Sequence, residues 1–159
     1  PTGILDCGNS GTTMRFVTAA LPLGRGRYRI DGVPRMRLRP IAPLLEALND
    51  LGADAQSEFG TGCPPVVVQA DGLPGGQTRM AGDLSSQYFS ALLLSAPYAR
   101  DGVGVAVIGD LVSKPYLPMT TAVMAAFGVE ADLDTVSWSR LGVRPGQRYR
   151  GRRLRRDWE

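Results

Sequence analysis

The residues best able to do chemistry in this chain are short, polar and grouped, and together they could grip an anion. Ser85-Ser86-Gln87 places two hydroxyls and an amide at the start of an apolar helical stretch. Free backbone N–H groups and the positive end of the helix dipole stabilise a phosphate there without a formal charge; an N-cap with a polar neighbour would use the same residues. Cys7-Gly8-Asn9-Ser10-Gly11-Thr12-Thr13-Met14-Arg15 makes a second such place between a strand end and a helix. Gly8 and Gly11 allow close backbone approach, and Ser10 or Thr12 is placed to cap the helix.

Arg35, Arg37 and Arg39 alternate through a segment bounded by Pro34 and Pro40. In an extended stretch all three point the same way, which is costly unless an anion lies there, and arginine offers paired donors for phosphate or carboxylate. A solvated run is the ordinary alternative. Ser113-Lys114 precedes Pro115, and Lys114 is the only lysine: either a phosphate contact or a solvated side chain. Arg15, one turn into the first helix, either adds to the anion site or pairs with an acidic neighbour. Asp31 and Asp110 hold similar places ahead of two loops, where either could cap a turn. No carboxylates are paired for acid–base work.

Composition narrows the classes. With no histidine and two cysteines, Cys7 and Cys63, that lack metal-ligand spacing, a zinc or His-based catalytic centre is not indicated, and two free thiols in a reducing compartment are expected. No apolar run is long enough to span a membrane. The net charge of +3 is unevenly spread: residues 140–159 carry eight arginines against Asp157 and Glu159, and residues 1–139 are net negative. The run Arg150-Gly151-Arg152-Arg153-Leu154-Arg155-Arg156 has no interleaved aromatic residue for base stacking, so a nucleic-acid partner is not favoured. The abrupt opening at Pro1, with no initiator methionine, points to a fragment.

The elements that must position these residues repeat. A strand end at Ile4-Leu5 leads into a helix with Met14, Val17 and Leu21 on one face; Tyr28–Ile30 reads as a strand, and Pro40 suits the first turn of a helix in which Ile41, Leu44, Leu45, Leu48 and Leu51 share a face before Gly52. Strands follow near Asp54–Ser57 and Val66–Gln69. Then the order restarts: a strand at Thr78–Ala81, a helix entered at Asp83–Gln87 and running to about Ala96, a strand over Val103–Ile108, a helix with Met119, Val123 and Phe127 ended by Gly128, and a strand over Glu130–Leu133. Setting residue n against n+75 aligns Ser10 with Ser85, Thr12 with Gln87, Arg39-Pro40 with Lys114-Pro115 and Pro43 with Pro118. The spacing predicts an α/β (α+β) fold of two βαβαββ units sharing one core, 1–75 and 76–150, with 151–159 a basic tail lacking native structure. Units related by an axis would bring the two polar helix starts together.

Four motifs in order, Gly8 to Arg15, Pro34 to Pro40, Ser85-Ser86-Gln87 and Gly109 to Tyr116, resemble the 3-phosphoshikimate 1-carboxyvinyltransferase (5-enolpyruvylshikimate-3-phosphate, or EPSP, synthase) family from about Leu5 to Asp132. The resemblance implies two domains of three βαβαββ units each, with the active site between them, and about two units of the first domain in this chain. The implied reaction, in the shikimate pathway to aromatic amino acids, moves the enolpyruvyl group of phosphoenolpyruvate to the 5-hydroxyl of shikimate 3-phosphate. It implies no metal or organic cofactor. Carried over motif by motif, Ser85, Ser86 and Ser113 bind the shikimate 3-phosphate phosphate, Tyr116 lines the same pocket and Gln87 reaches both substrates. Arg35 holds the phosphoenolpyruvate phosphate beside Asn9, Gly11 and Thr12, where glyphosate sits in the family.

Phe16 stands where many members have proline. The family's early Lys-Ser…Arg contacts and its second domain fall outside this sequence, so no catalytic set is complete and turnover by the chain alone is not expected. The resemblance also implies a missing C-terminal domain or complementary fragment as partner, self-association through a face meant for a third unit, and a cytoplasmic setting, or a plastid in a plant. Two other readings are a sister enzyme acting on a UDP-sugar, which usually carries a reactive cysteine in an Arg-Pro loop not seen here, and a non-catalytic RNA- or anion-binding module resting on the arginine tail.

Overall fold

Both halves of the chain are wound the same way. The computed structural model describes residues 2–153. Strand β1 (Thr2–Asp6) leads to helix α1 (Gly11–Ala20), β2 (Arg25–Asp31), α2 (Ala42–Asp50), β3 (Asp54–Ser57) and β4 (Val66–Asp71); the second half repeats this order as β5 (Gly76–Ala81), α3 (Ser86–Ser95), β6 (Val103–Ile108), α4 (Tyr116–Ala126), β7 (Ala131–Leu133) and β8 (Arg140–Val143). Each set of strands forms its own sheet, β1-β2-β4-β3 and β5-β6-β8-β7. In each, the first pair is parallel and the others antiparallel. Helices α1 and α3 begin 75 residues apart, as do the single 3-10 turns that follow them, Leu21–Leu23 and Ala96–Tyr98.

Each sheet buries one face. In β4, Val66, Val68 and Ala70 are buried while Gln69 is exposed, and in β6 Val103, Val105 and Val107 are buried, the two-residue alternation of a one-sided sheet. The helices fill the space against those faces, with Leu44, Leu45 and Leu48 of α2 buried. Helix α3 is the most enclosed, with eight of its ten residues buried, because it packs against both α1 and α4. Burial of a side chain such as Phe89 contributes about 2 kcal/mol. Gly52 and Gly128, at φ +91° and +85°, stop α2 and α4 in the left-handed conformation that favours glycine.

The structure corrects several expectations. Helix α4 buries Leu117 and Met124, not the row through Met119 and Val123, which are 57% and 50% exposed; Phe127 is its half-buried C-cap. The helix is apolar nearly all round, so periodicity could not select its inner face. Helix α2 starts at Ala42 with Ile41 as N-cap, leaving Pro40 outside. Strand β2 is longer than Tyr28–Ile30 because each of its residues pairs with β1, with β4 or with both. Cys7 is buried and Cys63 half-buried, both as free thiols. Among the described residues, no helix is long and apolar enough to cross a membrane. In the basic tail, residues 151–153 have no regular structure, and 154–159 lie outside the described residues.

Candidate functional site

The site is built where the parallel strands end. β1 and β2 finish side by side at Asp6 and Asp31, and β5 and β6 at Ala81 and Ile108, the end of such strand pairs at which α/β sheets accept ligands. The loops beyond them pack on each other without side chains between. Val33 N–H donates to the Gly8 carbonyl at 3.0 Å, and a Cβ at Gly32 would run into that carbonyl. In the second half Val112 N–H donates to the Gly82 carbonyl at 2.9 Å, and a Cβ at Gly82 would lie 2.6 Å from the Asp110 carbonyl oxygen. Only glycine permits this closeness.

From these loops the two helix starts converge. Ser10, not Thr12, caps α1: its Oγ accepts from Thr13 N–H at 3.1 Å. Ser85 caps α3, accepting from Gln87 N–H at 3.3 Å, and Ser86 is buried. Thr12 is thereby left for another partner. Gln87 Nε2 donates to Thr12 Oγ1 at 3.0 Å, while Gln87 Oε1 accepts from Arg15 Nη1 at 2.7 Å. The Arg15 guanidinium lies 4.9 Å over the Tyr88 ring, and Tyr88 Oη donates to the Pro40 carbonyl at 2.7 Å. One chain of contacts thus runs from α1 through α3 to the end of the arginine segment. Tyr88 and Pro40 were missed by sequence reasoning; a tyrosine directly after Gln87 in an otherwise apolar helix was the available signal, since a buried phenol needs a partner.

The arginine segment is not extended. Pro34–Leu38 forms a 3-10 turn, which sends its three arginines in different directions. Arg37 turns back to Asp31, with Nη2 2.6 Å from Oδ2 and Nε 3.1 Å from Oδ1. Arg29 Nη1 reaches the same carboxylate at 3.1 Å and its Nη2 reaches Glu58 at 2.7 Å. Hydrogen bonding from Arg37 holds the Asp31 carboxyl below its ordinary value, against the opposing effect of burial; Arg29 does the same to Glu58. Asp31 is therefore an ion-pair anchor and not merely a turn cap. Arg39 instead lies over α1, where a Cβ on Gly11 would come 2.6 Å from its Nη1. Arg35 and Arg39 are exposed, and neither makes an ion pair among the described residues.

The remaining candidates stand further out. Asn9 is exposed in the turn before Ser10. Ser113, exposed and at φ 55°, sits in the loop beside Gly82, and its carbonyl accepts from Tyr116 N–H at 3.2 Å. Tyr116 opens α4 and is 55% exposed. Lys114 extends toward Trp138, its Nζ 5.8 Å from the ring centre. The structure therefore joins Thr12, Arg15, Ser85 and Gln87 by hydrogen bonds and brings Arg39 to Gly11, while Asn9, Arg35, Ser113 and Tyr116 make no direct side-chain bond to them among the described residues. A broad concavity of about 780 Å³ lies elsewhere, against β6, β7 and β8 with Gly104, Arg140, Gly142 and Arg144 in its lining, and holds none of these residues.

A family model for EPSP synthase (3-phosphoshikimate 1-carboxyvinyltransferase) matches residues 1–155. The chain is 48% identical over 149 residues to 3-phosphoshikimate 1-carboxyvinyltransferase 1, chloroplastic, of Nicotiana tabacum, covering 92% of this chain and 29% of the relative. It is 47% identical over 145 residues to the 3-phosphoshikimate 1-carboxyvinyltransferase of Shewanella denitrificans, covering 91% and 33%. In fold it resembles the EPSP synthase of Acinetobacter baumannii with a TM-score of 0.78 at 24% identity, over 94% of this chain and 32% of that one. The chain spans about a third or less of the length of these relatives. With a family model matched along nearly its whole length and relatives close to half identical over nine-tenths of it, the chain belongs to the EPSP synthase family of transferases.

Proposed function

We propose that this chain supplies the shikimate 3-phosphate half of an EPSP synthase active site, for transfer of the enolpyruvyl group from phosphoenolpyruvate to the 5-hydroxyl with release of phosphate. In this reading Ser85, Ser86 and Ser113 hold the phosphate of shikimate 3-phosphate at the start of α3, where backbone N–H groups and the dipole assist, and Tyr116 lines the same pocket. Gln87 lies between the two substrates. Asn9, Gly11, Thr12 and Arg35 receive phosphoenolpyruvate, with Arg35 on its phosphate. The units 1–75 and 76–150 act together, because the pocket draws on both. The partner is a polypeptide carrying the other domain, so the chain alone turns over no substrate. The exposed apolar row of α4 is a face for further association, and the setting is the cytoplasm, or the plastid in a plant.

The observation that carries the reading is Gln87, bonded at once to Thr12 and Arg15 of the other half, since it ties both proposed subsites into one network. Titration of the chain with shikimate 3-phosphate, followed by calorimetry or NMR with shikimate and inorganic phosphate as controls, tests it. Saturable binding that needs both ring and phosphate, and disappears in Ser85→Ala/Ser86→Ala, is expected. Equal binding of inorganic phosphate, or an undiminished response in the double variant, would overturn the placement.

A further inference from the structure

Arginine has hydrogen-bond donors and no acceptor. The Gln87 atom 2.7 Å from Arg15 Nη1 is therefore the amide oxygen, and the amide nitrogen must face the other way, toward Thr12 Oγ1 at 3.0 Å. The two ends of a glutamine amide are alike in shape and are told apart by their partners; here one partner decides the matter. We infer that Arg15 is a positioning residue that fixes the polarity of Gln87, so that Gln87 presents N–H donors, and not its oxygen, between the two helix starts. One of its two N–H groups serves Thr12 and the second is left for a ligand. A site wired in this way takes a group that accepts hydrogen bonds, such as a phosphate or carboxylate oxygen, and disfavours one that only donates.

Arg15 is itself held for the task. Its guanidinium stacks 4.9 Å over Tyr88, a ring 4% exposed whose hydroxyl is fixed on the Pro40 carbonyl. A flat, always-charged group suits both the stack and the bond to Oε1. The corresponding residue of the second half, Ser90, is used differently: its hydroxyl meets Thr120 Oγ1 of α4 at 2.7 Å. The wiring therefore belongs to one side only.

The ligand half of this inference rests on the substrate reading above; the wiring does not, and the test separates them. In the labelled chain without ligand, a nuclear Overhauser contact between the Gln87 side-chain amide protons and the Thr12 methyl is expected. It persists in Arg15→Lys, which can still donate to Oε1, and is lost in Arg15→Met while the rest of the amide spectrum stays in place. Arg15→Gln, able to accept as well as donate, no longer fixes the polarity and weakens the contact, which guards against a misfolded Met variant. A contact that survives in both Arg15→Met and Arg15→Gln overturns the inference.

With shikimate 3-phosphate, Arg15→Met and Gln87→Leu are each expected to weaken binding about tenfold, the worth of one hydrogen bond to a charged group. The double variant should be no weaker than Gln87→Leu alone; additive losses would mean that Arg15 acts on the ligand by itself and would refute the positioning role. Gln87→Glu, which keeps the link to Arg15 but turns an oxygen toward the ligand, should bind more weakly than Gln87→Leu. A wild-type chain that shows the Overhauser contact yet binds no shikimate 3-phosphate supports the wiring and sinks the substrate reading.

Discussion

Replacing Asp31 by Asn removes one oxygen from the anchor that sets the arginine segment. Oδ1 accepts from Gly32 N–H at 2.8 Å and from Arg37 Nε at 3.1 Å, and Oδ2 accepts from Arg37 Nη2 at 2.6 Å and Arg29 Nη1 at 3.1 Å. The best asparagine rotamer keeps its oxygen in the first position and turns an NH2 group toward two guanidinium donors. Two charge-assisted bonds are lost at a side chain only 13% exposed; such bonds are worth about 1.5–3 kcal/mol each when enclosed, and solvent screening at the half-exposed Arg37 brings them to about 1 kcal/mol each. We expect a loss of about 2 kcal/mol, or roughly 4–8 °C in melting temperature for a chain of this size. The assay is urea unfolding of both proteins at several pH values. The folded-state carboxyl titrates below its ordinary 3.8, so its contribution is complete above that value and is lost as pH falls through the lower, folded one. The gap between wild type and Asp31→Asn should therefore be constant from pH 7 to 5 and begin to close below about pH 4. A gap under about 0.5 kcal/mol at pH 7, or one that does not narrow by pH 3, would refute this account of the anchor.

Gly11→Ala places its new methyl 2.6 Å from Arg39 Nη1 and 3.0 Å from Cζ, but the obstacle is the tip of an exposed side chain, which regains ordinary contact by retreating about 1 Å. Stability by urea unfolding should stay within about 1 kcal/mol of wild type, while in a complete enzyme carrying this segment glyphosate inhibition should weaken; a large unfolding defect, or unchanged inhibition, would contradict the geometry. The Ser137 hydroxyl and the N–H groups of Ser137 and Val136 pull the Asp134 carboxyl down to about 2, so its stabilising contribution shrinks below the ordinary 3.8 and is gone once pH has fallen through the lower value. Carbon-detected NMR titration should show this midpoint, and Ser137→Ala should raise it toward the ordinary 3.8; a midpoint unmoved by the substitution would rule out the hydroxyl as the leading cause.

What could be read from the sequence was local. Asp54–Ser57 and Val103–Ile108 are strands over the ranges their alternation and apolar runs indicate, and the leucines of α2 repeat at helical spacing because one face alone is buried. The 75-residue offset was visible because caps and turn residues recur where helices restart. Strand β8 was not located: Arg140-Leu141-Gly142-Val143 is short and carries a glycine, and only pairing with β6 and β7 makes it a strand. At the site, Ser85 and Gln87 were found because capping is decided within one turn of chain. The bend at Pro34–Leu38 was not, because the pull on Arg37 that shapes it comes from Asp31, held on a strand and itself paired with Arg29. Arg39 over Gly11 and Tyr88 on Pro40 depend likewise on how helices pack, a fact no short window of sequence contains.

Thr12 and Gln87 occupy the same place in the two halves, and they touch each other. Contacts of this kind, a position meeting its own counterpart, mark assemblies of identical subunits, where symmetry fills both sides with one residue. Joining the copies in a single chain lifts that constraint. A hydroxyl now faces an amide, Arg15 has Ser90 as its opposite number, and the two sides are free to diverge toward two different small molecules. A duplicate of residues 1–75 pairing with itself would set Thr12 against a second Thr12, with no amide between them: lopsidedness at this junction needs two unlike halves, which this single chain supplies.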